Sequence, residues 1–403
     1  MASRPASRDE FEVAVVCALP REYDAASLAF DEFWDDEGDI YGKAPNDPNI
    51  YTTGSIQRLN VVLVLLPGMG KVNAANTVAS LRSSYSGIRL VILTGICGAA
   101  PSQENEIILG DVIISKSVVQ YDFGRQYTSG FVRKDTVEDN LGRPVASIRS
   151  LLSMFQTARG RDRLLDKAED ILSQMQERAA RNKRNQIRYD RPPTFEDKLF
   201  ATDYVHKHRD THCKSCTEHA CDVARLASCD ELCCDDGSLI TRKRLSEIRG
   251  GMPDVKIFVG GIASGDMIMR SGQDRDRIAK EAHVIGFEME GAGVWDGIPS
   301  IVVKGVCDYA DSHKTDKWQD YAAATAASVT KAILIQYLQP IKGDTDDSPG
   351  TSLCPSTSTR KGLPMSSDSN SGSWAIFHGN ISGKNVVAGQ QIKGGTTTMN
   401  FRG

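Results

Sequence analysis

The sequence predicts an α/β domain, and three observations carry that expectation. Short β-branched and aliphatic runs recur at residues 11–19, 61–66, 90–93, 255–259 and 301–303. Between them lie alanine-rich or amphipathic stretches with helical periodicity. Acidic residues, among them Glu22, Asp308 and Asp311, follow closely on the apolar runs. Open α/β sheets place their ligand sites beyond such strand ends.

The chain has 403 residues, enough for one large domain or two ordinary ones with a substantial core. Its 48 basic and 52 acidic side chains leave a net charge of −4, so no global field favours nucleic acid or an anionic membrane. Residues 1–9 are polar and the first apolar run has only strand length, so neither a signal peptide nor a membrane span is expected. Ten cysteines in so long a chain fall below the density of a disulfide scaffold, and reduced thiols in a cytoplasmic protein fit better.

The first strand covers 11–19 and ends at Pro20, where a helix begins, with Glu22 just beyond. Alone, Glu22 reads as an acid favoured in a first helical turn. The run 61–66 leads into Pro67-Gly-Met-Gly-Lys-Val-Asn, a glycine turn that opens an alanine-rich helix. The Walker spacing is missing, so Lys71 reads as structural rather than as a phosphate ligand. Residues 90–100 form a buried strand ending in a glycine turn at Gly95-Ile96-Cys97-Gly98, whose backbone N–H groups can face a sugar or an anion. A further strand follows at 110–115.

From about 131 to 250 the alternation breaks, as an insertion would break it. Leu164, Leu165, Ala168, Ile171, Leu172, Met175 and Ala179 repeat at helical spacing, with a basic opposite face that reads as solvated. His206, His208, His212, Cys213, Cys216, His219, Cys221, Cys229, Cys233 and Cys234 then crowd together. Cys213-Lys-Ser-Cys216 has the spacing of a tetrahedral zinc site, which His206, His219 or the Cys233-Cys234 pair would complete. The competing expectation is thiols packed as small hydrophobes.

The α/β pattern resumes at 255–266, which ends in Ala263-Ser-Gly-Asp266, followed by Met267-Ile268-Met269. Gly286-Phe-Glu-Met-Glu-Gly-Ala-Gly-Val-Trp295 comes next, with Glu288 and Glu290 flanking Met289. A buried strand from Ile301 then runs to Asp308 and Asp311, and residues 318–338 read as an alanine-rich closing helix. Residues 341–373, rich in Ser, Thr, Pro, Gly and Asp, read as a disordered linker. Residues 374–403 alternate short apolar steps with Gly and Asn, a pattern suited to stacking between chains in a higher-order assembly.

The Glu-Met-Glu segment, together with Cys307-Asp-Tyr-Ala-Asp-Ser-His-Lys314, Trp318 and Tyr321, resembles the nucleoside phosphorylase and nucleosidase superfamily. It is most similar to the form found in fungal proteins of NLR-type immune architecture. The resemblance covers residues 11–125 and 250–338. It implies a three-layer α/β sandwich, with a central mixed sheet between helices, and a homo-oligomer. It also implies that Asp308 protonates or hydrogen-bonds N7 of a purine, that Glu290 accepts from the ribose hydroxyls and that Met289 packs under the sugar. Glu288, Gly95, Ile96, Cys97, Asp266, Ile268 and Met269 would complete the substrate site. Ala18-Leu-Pro-Arg-Glu22 matches the spacing at which nucleosidases place the glutamate that delivers water. Relatives that bind inorganic phosphate carry Arg and Ser where this chain has Leu93 and Ile96; the Ser that precedes the purine-site aspartate in relatives is Cys307 here. The expected activity is therefore hydrolysis of adenine nucleosides or nucleotides, ATP among them, with no cofactor required, as an immune-type effector. A phosphate-dependent phosphorylase and an idle nucleoside-sensing scaffold are the alternatives.

Overall fold

The computed structural model describes residues 3–36, 38–182, 187–209, 213, 215–216, 220–246 and 253–337. The chain divides into two units, Met1–Gly343 and Asp344–Gly403. The expected linker and assembly motif, 341–403, lie outside the described residues.

In chain order the strands are β1 (Val13–Cys17), β2 (Glu32–Phe33), β3 (Tyr51–Ile56), β4 (Leu59–Leu65), β5 (Leu90–Ala99), β6 (Val112–Gln120), β7 (Gly124–Tyr127), β8 (Gly130–Arg133), β9 (Ile257–Ser264), β10 (Val284–Glu288) and β11 (Ser300–Asp308). The helices are α1 (Pro20–Ser27), α2 (Lys71–Ser84), α3 (Ala146–Phe155), α4 (Ala158–Arg181), α5 (Asp222–Leu226), α6 (Lys243–Ser246), α7 (Gly272–Ala282), α8 (Gly291–Trp295) and α9 (Gln319–Tyr337).

Nine strands form one mixed sheet in the order β10-β9-β6-β11-β5-β1-β4-β3-β2. The centre is parallel, β1 pairing with β4 and β5, and β5 with β11. Strands buried on both faces read as continuous apolar runs, and β1 and β11 are buried at every position. The sheet also returns on itself: β10 pairs with β9 and, antiparallel, with β5 through Gly286↔Ala99 and Phe287↔Gly98. This closure brings the carboxyl ends of β5, β10 and β11 together, and the candidate site lies there.

Helices α1, α4 and α9 cover one face, where Ala25, Leu164, Ile171, Met175, Ala324 and Ile333 join Val15, Leu63, Ile92 and Val303 in one core. Helices α2 and α8 cover the other, with Val78, Leu81 and Val294 against Val62, Leu93 and Val302. These three layers are the predicted sandwich. The small residues of α9 let it approach β11 so closely that a Cβ at Gly305 would lie 1.9 Å from the Ala322 carbonyl oxygen.

The stretch expected as an insertion is of two kinds. Leu164, Ala168, Ile171, Met175 and Ala179 are buried as their periodicity predicts, so α4 belongs to the core. Among the described residues, the segment after α4 carries only short helices. It is anchored by Arg244, which pairs with buried Asp111 at 2.5 Å, and by Asp197, which accepts from the Tyr309 hydroxyl (2.6 Å) and pairs within the segment with Arg242 at 2.7 Å. Strand β3, absent from the sequence expectation, forms a hairpin with β4. Its turn uses Gln57 at φ 56° where glycine or asparagine would have signalled it. Among the described residues, no helix is long and apolar enough to cross a membrane.

Candidate active site

A cavity of about 220 Å³ opens at the joined strand ends and is lined by Glu22, Ile96, Cys97, Ile268, Met269, Met289, Glu288, Glu290 and Asp308. These predicted residues come from five separate parts of the chain, and Met69, Arg270 and Lys314 join them.

Glu22 is placed by local chemistry. Pro20 starts α1, and Glu22, at its third position, folds back to the chain entering the helix. Its Oε2 accepts from Ala18 N (2.8 Å) and Leu19 N (3.0 Å), and Oε1 accepts from Ile96 N (2.7 Å). A carboxylate offers about four lone-pair positions, so Oε1 keeps one for a further donor. Burial raises the Glu22 pKa; Lys304 opposes that rise and Glu290 adds to it.

Glu290 accepts from Gly70 N through Oε1 (3.1 Å), and its Oε2 lies 3.4 Å from Lys304 Nζ. Glu288 points the other way, both oxygens accepting from Gly291 N (2.9 and 3.0 Å) and Oε2 also from Glu290 N (3.0 Å). It thereby shapes the β10–α8 corner. Burial raises its pKa as well, against the pull of Lys304.

Lys304, on β11, is a residue that the sequence reading missed. It is 1% exposed and its ammonium lies 3.4, 3.9 and 4.0 Å from Glu290, Glu288 and Glu22. Burial disfavours its charged form, yet the fields of Glu22, Glu290 and Glu288 outweigh burial and push its pKa up. One fixed cation therefore holds three carboxylates that would otherwise repel one another.

Asp308 closes the opposite end. Its Oδ1 accepts from Ala310 N (2.7 Å) and faces Lys314 Nζ at 3.1 Å, while the Cys307 thiol lies 3.4 Å from Oδ2. Burial, reinforced by Asp308, pushes the Cys307 thiol up, so it stays a neutral donor. Lys314 stood inside the quoted motif without a role. A lysine six residues past a strand aspartate has no spacing that announces a pair.

Two predicted site residues take other positions. Asp266 does not line the cavity. Its Oδ1 accepts from Lys71 N (3.0 Å), Oδ2 lies 3.6 Å from Lys71 Nζ, and the side chain is 50% exposed. It braces the glycine turn of Lys71, which also pairs with Asp122 at 2.6 Å, the structural role expected for that lysine. Gly95 does not reach the cavity either. A Cβ there would lie 2.1 Å from Glu22 Oε1, so the glycine makes room for the carboxylate.

Among the described residues, the Cys/His region resolves into two groups of ligand atoms. Cys213 and Cys216 gather with His208 and Cys221; His206 gathers with Cys229, Cys234 and His313. Cys233, expected as a partner of Cys213, is exposed and joins neither. His219 lies outside the described residues.

Residues 12–184 match the profile of the phosphorylase superfamily. An NLR-like protein of Hyaloscypha variabilis is 31% identical over 332 residues, 81% of this chain. The profile match places residues 12–184 in the phosphorylase superfamily. The chain spans 29% of the length of the NLR-like relative, so that protein extends far beyond the shared region. A 5′-methylthioadenosine/S-adenosylhomocysteine nucleosidase of Mycobacterium tuberculosis is 34% identical over 103 residues, 24% of this chain and 38% of the relative. Among solved structures, futalosine hydrolase of Helicobacter pylori aligns over 81% of this chain and 98% of its own, at 15% identity and a TM-score of 0.45. The superfamily match extends through α3 and α4.

Proposed function

We propose that this chain hydrolyses the N-glycosidic bond of purine nucleosides or nucleotides, adenine compounds first among them. The observation that carries the proposal is Glu22, a buried carboxylate with three of its lone pairs fixed by backbone N–H groups and one left at the cavity. Breaking this bond develops positive charge on the sugar and negative charge on the departing base. Glu22 takes a proton from a water whose oxygen bonds to C1′. The C1′–N9 electrons leave with the purine, and Asp308, acting as the acid, gives its carboxyl proton to N7. Glu290 binds the ribose hydroxyls, held in place by Lys304 and Gly70 N.

A phosphorolytic site needs a cation and a hydroxyl beside C1′. At the corresponding places Leu93 is buried in the core and Ile96 offers an aliphatic side chain. That favours water over phosphate as the nucleophile.

Adenine is supported by the mycobacterial relative, named for two adenine nucleosides. The NLR-like relative and the resemblance of the motif from Cys307 to Lys314 to fungal NLR-type proteins are the basis for placing this activity in an effector module, and we extend the proposed substrates to adenine nucleotides, ATP included. Arg270, at the cavity margin, is the group we assign to a substrate phosphate. The test is a panel of adenosine, inosine, AMP, ATP and a pyrimidine nucleoside, with released bases separated by chromatography. Free adenine from at least one adenine compound is expected. Release of uracil or cytosine alone would contradict the purine reading.

A further inference from the structure

We propose that the segment after α4, together with His313, binds two zinc ions per chain, and that one of them fastens the segment to the catalytic loop. The outer site is His208, Cys213, Cys216 and Cys221; the inner site is His206, Cys229, Cys234 and His313.

A tetrahedral zinc with Cys and His ligands has ligand-to-ligand edges of about 3.4 to 3.8 Å. In the outer group Cys213 and Cys221 Sγ lie 3.9 Å apart, and His208 Nδ1 lies 3.4 Å from Cys216 Sγ and 3.6 Å from Cys221 Sγ. In the inner group Cys229 Sγ is 3.7 Å from His206 Nδ1 and 3.4 Å from His313 Nδ1, and Cys234 Sγ is 3.4 Å from His206 Nδ1. Three of the six edges in each group thus already have about the lengths of a coordination tetrahedron, and all the ligand atoms of a group lie within 4.8 Å of one another.

The histidine orientations argue for a metal independently of distance. His206 Nε2 lies 2.8 Å from Ala227 O and His313 Nε2 lies 2.9 Å from Tyr204 O. A carbonyl only accepts, so each Nε2 carries the proton and each Nδ1 lone pair faces the thiols. Metal-binding histidines are fixed in this way. Stacking on Phe200, with ring centroids 4.0 Å apart, further holds the His313 ring. Thiols packed as small hydrophobes would be fully buried, whereas all five of these cysteines are only partly so. The charges also suit their places. Two thiolates and two neutral imidazoles balance Zn²⁺ at the inner site, where both histidines are buried, while three thiolates leave one negative charge at the more open outer site.

The inner site matters for the active centre because His313 precedes Lys314, the partner of Asp308. An ion bound there ties Cys229 and Cys234 to the loop that carries this pair.

The test is metal analysis of the full chain, purified without chelator from zinc-supplemented culture. About two zinc ions per chain are expected, falling to about one in Cys216→Ser/Cys221→Ser and to about one in Cys229→Ser/Cys234→Ser. Only the second pair should speed hydrogen exchange at residues 311–314. Cobalt(II) loading of the unsubstituted chain needs no variant to fold, and it should give the intense visible bands and thiolate charge-transfer absorption of tetrahedral sulfur sites. Zinc below about a fifth of an equivalent with no such spectrum, or zinc content equal in all variants, would overturn the proposal. Loss of a single zinc confined to the outer pair would overturn the inner site and its link to the loop.

Discussion

Replacing Glu22 by Gln is expected to lower kcat by a factor of ~10² to 10⁴, the usual contribution of a positioned general base. The amide can still accept from Ala18 N and Leu19 N, but its NH₂ group then meets Ile96 N–H, donor against donor. The variant therefore loses a buried hydrogen bond along with a buried charge. These changes oppose each other in stability, and the melting temperature should move far less than the rate. Burial raises the Glu22 pKa in the unsubstituted protein, so kcat/KM should fall on the acid side at a pH above the ordinary carboxylate range. The carboxylates around Lys304 are close enough that this limb belongs to the group rather than to one residue. A kcat within threefold of the unsubstituted protein would remove Glu22 from the mechanism.

Lys304→Met should be the most destabilising single change in the site. Three buried carboxylates lie within 4.0 Å of this one ammonium, and removing it leaves them without a counter-charge. Breaking a buried pair from one side typically costs about 3 to 5 kcal/mol. The pH dependence has a defined sign. Burial already raises the folded-state pKa values of Glu22 and Glu288 while Lys304 opposes the rise, so removal of the lysine raises them further. A carboxylate whose folded pKa exceeds its unfolded value contributes stability below the unfolded pKa and loses it as pH climbs through the folded one. The deficit of Lys304→Met relative to the unsubstituted chain should therefore grow from the ordinary carboxylate range toward neutrality. Denaturant melts at several pH values measure it. A deficit that is constant with pH would mean that the lysine acts by packing alone.

How much of this was legible in the sequence depended on how local the cause is. Glu22 was readable because its position follows from neighbours a few residues away: a strand, Pro20 and the first turn of α1. Glu290, Met289 and Asp308 were readable through a motif resemblance, and the closure of β10 onto β5 explains physically why they meet. That antiparallel pairing joins residues nearly two hundred positions apart, and no short-range pattern encodes it. Lys304 was overlooked for the same reason, since a lysine within an apolar strand carries no signal of its own until folding brings Glu22 of α1, Glu288 of β10 and Glu290 at the start of α8 beside it. Asp266 and Gly95 lay at the expected points along the chain but serve Lys71 and Glu22 rather than the cavity. His313 gave no metal signal, because its partners Cys229 and Cys234 lie far upstream and only folding joins them.

The central claim is that water, not phosphate, attacks the sugar. The most direct measurement follows an accepted nucleoside with and without inorganic phosphate and identifies the sugar product by phosphorus NMR and chromatography. The account predicts the same rate of base release in both conditions, with ribose, or ribose bearing only the substrate's own phosphates, as the second product. Ribose 1-phosphate, formed only when phosphate is added, would contradict it.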